Sequence, residues 1–134
     1  MAISHQYELP DEPAPGLKIA LTRVGDLVVC SLAGDVHMDH QAAVGQALNK
    51  ALAWHPALLV VDLSAVELFT STGLNALITV RRTAPGTPLV LAAPSTHVLH
   101  VLNITQTDRL FPIYPTVEQA LDQQAGPGPT PPAP

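Results

Sequence analysis

The sequence predicts an α/β domain in which a mixed sheet of four to five strands is covered by about four helices, and three observations predict it. Residues 17–23 and 27–33 are apolar, β-rich runs separated by Gly25 and Asp26, the pattern of a tight hairpin. Residues 58–63 are apolar on both faces apart from Asp62, as expected of a strand covered on both sides. After the hairpin, apolar residues at helical spacing alternate with short apolar runs, which places parallel strands beside the hairpin.

Each element follows from local chemistry. Gly25 accepts positive φ cheaply, which suits the hairpin turn, and Gly34 with Asp35 is expected to end the second strand. Residues 40–54 carry Ala43, Val44, Ala47, Leu48, Ala51 and Leu52 at helical spacing, and Pro56 prevents easy continuation. A second helix is expected from Thr72, with Leu74, Leu77 and Ile78 inward and Arg81 and Arg82 in its last turn, where cations complement the dipole. Pro85 and Gly86 break it, and residues 89–92 read as a further core strand. Ser95 or Thr96 can cap a helix carrying Val98, Leu99, Val101 and Leu102. Residues 110–114 read as a short edge strand because Pro112 removes a ladder donor. Thr116 and Gln119 have capping-box spacing for a last helix through Leu121.

The ends differ from the middle. Pro10, Pro13 and Pro15 stud the first segment beside Asp11 and Glu12, and residues 126–134 are Gly, Pro, Thr and Ala without periodicity. The expected organisation is therefore a flexible segment over 1–16, one domain over 17–123, and a disordered Pro-rich tail over 124–134. Within 134 residues, 47% apolar and 13% charged content suits a compact domain, and six basic residues at a net charge of −5 leave no patch for nucleic acid or an anionic membrane. The lone Cys30, in a strand-like run, reads as a buried hydrophobe and supplies no intramolecular disulfide, consistent with a reducing cytoplasm. No signal peptide or membrane-spanning run is recognisable, so the expected location is cytoplasmic.

The chemistry concentrates at Thr70, Ser71, Thr72 and Gly73, which bracket the start of the second helix. N–H groups at a helix start favour negative charge, so a phosphoryl group on one of these hydroxyls could be accommodated there, and it would add roughly −1.5 to −2 charge to the surface. The plainer reading is that Thr70 or Ser71 is an N-cap. Other constellations are weaker. His37, Asp39 and His40 are metal-ligand types within four positions, but a solvated loop is favoured and no metal is expected. His97 and His100 read as a surface pair on one helical face. Ser71 with Asp62 and a histidine lacks the glycine of a nucleophile elbow, since Phe69 stands two residues before Ser71, so no enzymatic activity is expected. No glycine-rich phosphate loop is present and no cofactor is expected.

Three segments carry a resemblance: GDV at residues 34–36, VVDLSAVELFTSTGLNALI at 60–78, and VLNITQTDRLFPIYPTVEQAL at 101–121. In order and spacing, over about residues 17–122, they resemble the STAS domain of small bacterial anti-sigma factor antagonists. The resemblance implies a partner-switching protein that acts in transcription control and the bacterial stress response. In its unphosphorylated state it binds an anti-sigma factor, often a serine/threonine kinase of the ATPase type, and so releases a sigma factor. The kinase then phosphorylates a hydroxyl at the helix mouth, and a phosphatase resets it. It places the phosphoacceptor on Thr72, with Ser71 as the alternative. It draws the partner surface from Asp35, His37, Asp39, Thr70, Ser71, Thr72, Gly73 and Asn75, on a protein that is monomeric when free. Two departures stand out: Thr70 replaces an acid usual in the family, and His37 replaces a second acid in the preceding loop. They leave open a STAS scaffold that works without phosphoryl transfer, and a nucleotide-sensing module is a further alternative.

Overall fold

The computed structural model describes residues 4–8, 16–36 and 40–125, with backbone alone for 4–8 and 123–125. Among these, β1 (Ser4–Glu8), β2 (Leu17–Val24) and β3 (Leu27–Val36) form an antiparallel meander. Then α1 (Gln41–Ala53), β4 (Leu58–Phe69), α2 (Ser71–Thr83), β5 (Leu89–Ala92), α3 (Thr96–Ile104), a 3-10 turn (Thr107–Arg109), β6 (Ile113–Tyr114) and α4 (Val117–Ala125) follow. The strands lie in chain order in one six-stranded sheet, antiparallel from β1 to β3 and parallel from β3 to β6. Helical connections between the first parallel strands set this order, because a parallel pair cannot be joined by a hairpin.

The sheet has two covered faces. Val28, Cys30, Leu32, Leu59, Val61 and Leu91 belong to a core shared with Val44 and Leu48 of α1, Leu77 of α2 and Leu102 of α3. Val29, Leu58, Val60, Val90 and Ala92 face the other way and form a second cluster with Ala120 of α4. The apolar run of β4 serves both clusters, which is why it shows no alternation.

The mixed α/β sheet and its four helices agree with the sequence reading, but several elements differ in extent. β3 does not end at Gly34 and Asp35. It continues to Val36 through a shift of register against β4 between those two residues. Gly34 makes that continuation possible: its φ is +111°, and a Cβ there would strike the Gly16 carbonyl, which accepts from the Asp35 N–H at 3.1 Å. β4 is twelve residues long. Its second half, polar enough to read as loop, is held by pairing of Val66, Leu68 and Phe69 with Gly34, Asp35 and Val36. α4 extends past Leu121 to Ala125. Only Ile113 and Tyr114 of the expected edge strand pair, where Leu91 donates to the Pro112 carbonyl at 2.9 Å. β1 is an added edge strand drawn from the segment read as an arm, in register from Ser4 opposite Val24 to Glu8 opposite Ala20.

Candidate functional site

The carboxyl ends of β3 and β4 finish side by side, with Val36 in register with Phe69, and Thr70 follows at once. Ligand and partner sites of open α/β sheets collect at such strand ends, where the chain leaves the ladder and turns into a helix. Here Thr70 is the N-cap of α2, extended at φ −105° and ψ 179°. Its hydroxyl oxygen accepts from the Thr72 N–H at 3.3 Å and donates its proton to the Val36 carbonyl at 2.8 Å. Its own carbonyl accepts from the N–H groups of Gly73 and Leu74. Three amides of the first turn are thus already bonded to Thr70. The helix mouth is less of an open anion cradle than its position in the sequence suggests.

The two candidate acceptors face different ways. Ser71 is exposed, whereas Thr72 is 7% exposed, so the hydroxyl that the resemblance put first is the less accessible one. Helical rotation explains this: about 100° separates neighbours, and Thr72 turns inward with Gly73 and Leu74, which are buried. Asn75 is exposed and one turn beyond Ser71, so the two share an outer face. Gly73 is fixed by packing, because an added Cβ would stand 2.6 Å from Cε1 of the buried Phe69 ring. Asp35 lies half-buried at the end of β3, in register with Leu68. The structure therefore brings Asp35, Thr70, Ser71 and Asn75 to one end of the domain. His37 and Asp39 lie outside the described residues. The sequence signalled the cap but neither the bond to Val36 nor the ring under Gly73, since both join residues by geometry that no spacing encodes.

The other constellations sit elsewhere. Asp62 accepts from Ser31 Oγ at 3.4 Å and from the Ser64 N–H at 2.9 Å. It precedes Phe69 by seven strand residues, about 20 Å, which separates it from Ser71. Cys30 is fully buried, and burial first, then the nearby Asp62 charge, pushes its thiol up to about 12. It has none of the thiolate character of a nucleophile. His97 and His100 are both exposed on α3. Among the described residues, no three His, Cys, Asp or Glu side chains group as a metal site, and no helix is long and apolar enough to cross a membrane. A groove of about 290 Å³ lies between Arg81, Pro85, Leu89, Leu110 and Pro112. It is at the far end of α2, ten residues or about 15 Å from Ser71.

The family model described as "Mlab, STAS domain" matches residues 19–113, more than half of the chain. The chain belongs to the STAS domain family. The match spans β3, β4 and α2, and so contains the whole junction around Thr70. Among relatives of this STAS domain, the anti-sigma-F factor antagonist RsfB of Mycobacterium tuberculosis is 28% identical over 96 residues, 71% of this chain and 79% of the relative. The crystal structure of an anti-sigma factor antagonist from Mycobacterium paratuberculosis covers 86% of this chain and 100% of its own, with a TM-score of 0.76 at 29% identity. The anti-sigma factor antagonist SpoIIAA in its unphosphorylated form gives a TM-score of 0.62 at 20% identity over 81% of this chain and 96% of its own, a likeness of fold.

Proposed function

We propose that this STAS protein is an anti-sigma factor antagonist: it binds an anti-sigma factor through the surface around the mouth of α2 and the end of β3, and so frees a sigma factor. The observation that carries the switch is the exposure of Ser71 beside the buried Thr72 and Gly73. A kinase must reach the hydroxyl it modifies, so the acceptor is Ser71 rather than Thr72. The anti-sigma factor is itself the serine/threonine kinase, and a phosphatase restores the free hydroxyl. A phosphoryl group on Ser71 would add about −1.5 to −2 charge to a surface that must pack against the partner, which weakens the complex through desolvation and repulsion. The names of the mycobacterial relatives support the antagonist reading. The protein acts as a binding partner and kinase substrate, not as an enzyme, in the cytoplasm. Bonding of the first-turn amides to Thr70 argues against the nucleotide-sensing alternative, which would need them for phosphate.

The experiment is a capture from native lysate of the source organism with wild-type, Ser71→Ala and Ser71→Glu baits, followed by incubation of the captured complex with ATP and site-resolved mass spectrometry. The expected result is an anti-sigma factor kinase on wild type and Ser71→Ala, its loss from Ser71→Glu, and phosphate on Ser71. A stable complex in which no hydroxyl becomes phosphorylated would replace this reading with a scaffold. Absence of any anti-sigma factor would overturn it.

A further inference from the structure

We propose that Thr70 is a positioning residue, a strap that ties the end of β3 to the mouth of α2 so that Asp35 and Ser71 are presented to a partner in one fixed arrangement. The proposal rests on the antagonist reading for its purpose, but not for its geometry. A helix cap needs only an acceptor: the Thr70 oxygen takes the Thr72 N–H, and Asp, Asn or Ser would serve as well. The donated bond to the Val36 carbonyl is different in kind. It spans thirty-four residues, joins two elements, and requires a proton that an ionised carboxylate does not have.

The place where this bond falls gives it weight. The ladder between β3 and β4 slips in register between Ser31 and Ala33 and again between Gly34 and Asp35, so beyond the last slip β3 keeps two pairs, Asp35 with Leu68 and Val36 with Phe69. Asp35 N–H is bonded backward to the Gly16 carbonyl, which anchors that end toward β2 but not toward α2. The hydroxyl of Thr70 supplies the tie on the α2 side. Asp35 sits directly before Val36 and Ser71 directly after Thr70 in the chain, so this bond, added to the pairing of Val36 with Phe69, ties the acid to the acceptor hydroxyl.

The two bonds of the hydroxyl can be separated by substitution. Thr70→Asp keeps an acceptor for Thr72 and favours the positive end of α2, but meets the Val36 carbonyl with a second acceptor. Thr70→Val keeps the shape and removes both bonds, and Thr70→Ser keeps both. Residue-resolved amide exchange by NMR on the full chain reads each part: the Asp35 amide, bonded to the Gly16 carbonyl, for opening of the β3 end that the strap holds, the Thr72 amide for the cap, and the core Val61 amide for global opening. Losing one hydrogen bond is expected to speed exchange of its element by about three- to tenfold. Thr70→Asp should speed Asp35 alone, Thr70→Val should speed Asp35 and Thr72, and Thr70→Ser should stay close to wild type. An Asp35 rate within twofold of wild type in both Asp and Val variants would reduce Thr70 to an ordinary cap and overturn the proposal. So would an acceleration of Asp35 matched by Val61, which is global destabilisation. No partner enters this measurement, so its failure leaves the antagonist reading intact, and failure to capture an anti-sigma factor leaves the strap intact.

Discussion

The ring of Phe69 lies so close under the first turn of α2 that a Cβ added to Gly73 would stand 2.6 Å from its Cε1 and 2.7 Å from its Cζ. The last residue of β4 thereby props the helix that displays Ser71. Only glycine at position 73 allows the helix backbone to come down onto the ring.

Gly73→Ala should therefore destabilise the protein, although alanine is the better helix former. Overpacking of a buried ring costs about 1–3 kcal/mol, which outweighs the roughly 0.5–1 kcal/mol gained from helix propensity. Urea unfolding of Gly73→Ala, Phe69→Leu and the double variant checks this, since relief of the clash should make the double variant more stable than the two single losses add up to.

A second glycine gives a sharper contrast. Gly34 has φ +111° and faces the Gly16 carbonyl, whereas Gly25, at φ +60° in the hairpin turn, has no atom within 4 Å of an added Cβ. Gly34→Ala should cost about 3 kcal/mol or more, combining backbone strain with the collision, and Gly25→Ala about 1 kcal/mol from strain alone. Chemical denaturation of the two variants side by side measures the difference, and similar losses would count against the close approach at Gly16.

These contacts also show how much the sequence could tell. Periodicity located α1, α2, α3 and the apolar half of β4, because burial on one face leaves a spacing that can be counted. It stopped β3 at Gly34 because a glycine beside an acid looks like a strand end, and only the approach of Gly16 makes it a bulge. It left residues 64–69 out of β4 because Ser64 and Glu67 are exposed and the pairing partners, such as Val36 for Phe69, lie far back in the chain on β3. At the site, three adjacent hydroxyls marked the helix mouth correctly. Which of them faces outward depends on the phase of a helix that starts at Ser71 rather than Thr72.

Cys30 supplies a prediction about pH. Its thiol is held protonated up to about 12 in the fold by burial and by the Asp62 charge, against an ordinary value of 9.0. Above pH 9 the unfolded chain releases this proton and the folded chain does not, so the group's contribution to stability is complete below pH 9 and declines as pH rises toward 12. The slope approaches about 1.4 kcal/mol per pH unit in that window, on top of other titrations. Comparison of urea midpoints for wild type and Cys30→Ala between pH 8 and 10.5 isolates it: the wild type should lose stability more steeply. The same burial predicts that a thiol reagent at pH 8 labels Cys30 only as the protein unfolds.

Charge at positions 71 and 72 gives the most direct test of the site. Ser71 is exposed at the first residue of α2, so Ser71→Glu places a carboxylate at the positive end of the helix in contact with water. It should stabilise the fold by about 0.3–1 kcal/mol at low salt, with the gain fading as salt is added. Thr72 is 7% exposed and turned toward the core, so Thr72→Glu buries a charge without a partner and should cost about 3 kcal/mol or more. Thermal and urea melts of the two variants read the sign directly. The outcome decides how any loss of partner binding is to be interpreted. A defect in Ser71→Glu on an intact fold reports the charge itself, whereas the same defect in Thr72→Glu would follow from unfolding of the α2 mouth. If Thr72→Glu proved as stable as wild type, the inward phase of Thr72 would be wrong and the acceptor assignment would return to that residue.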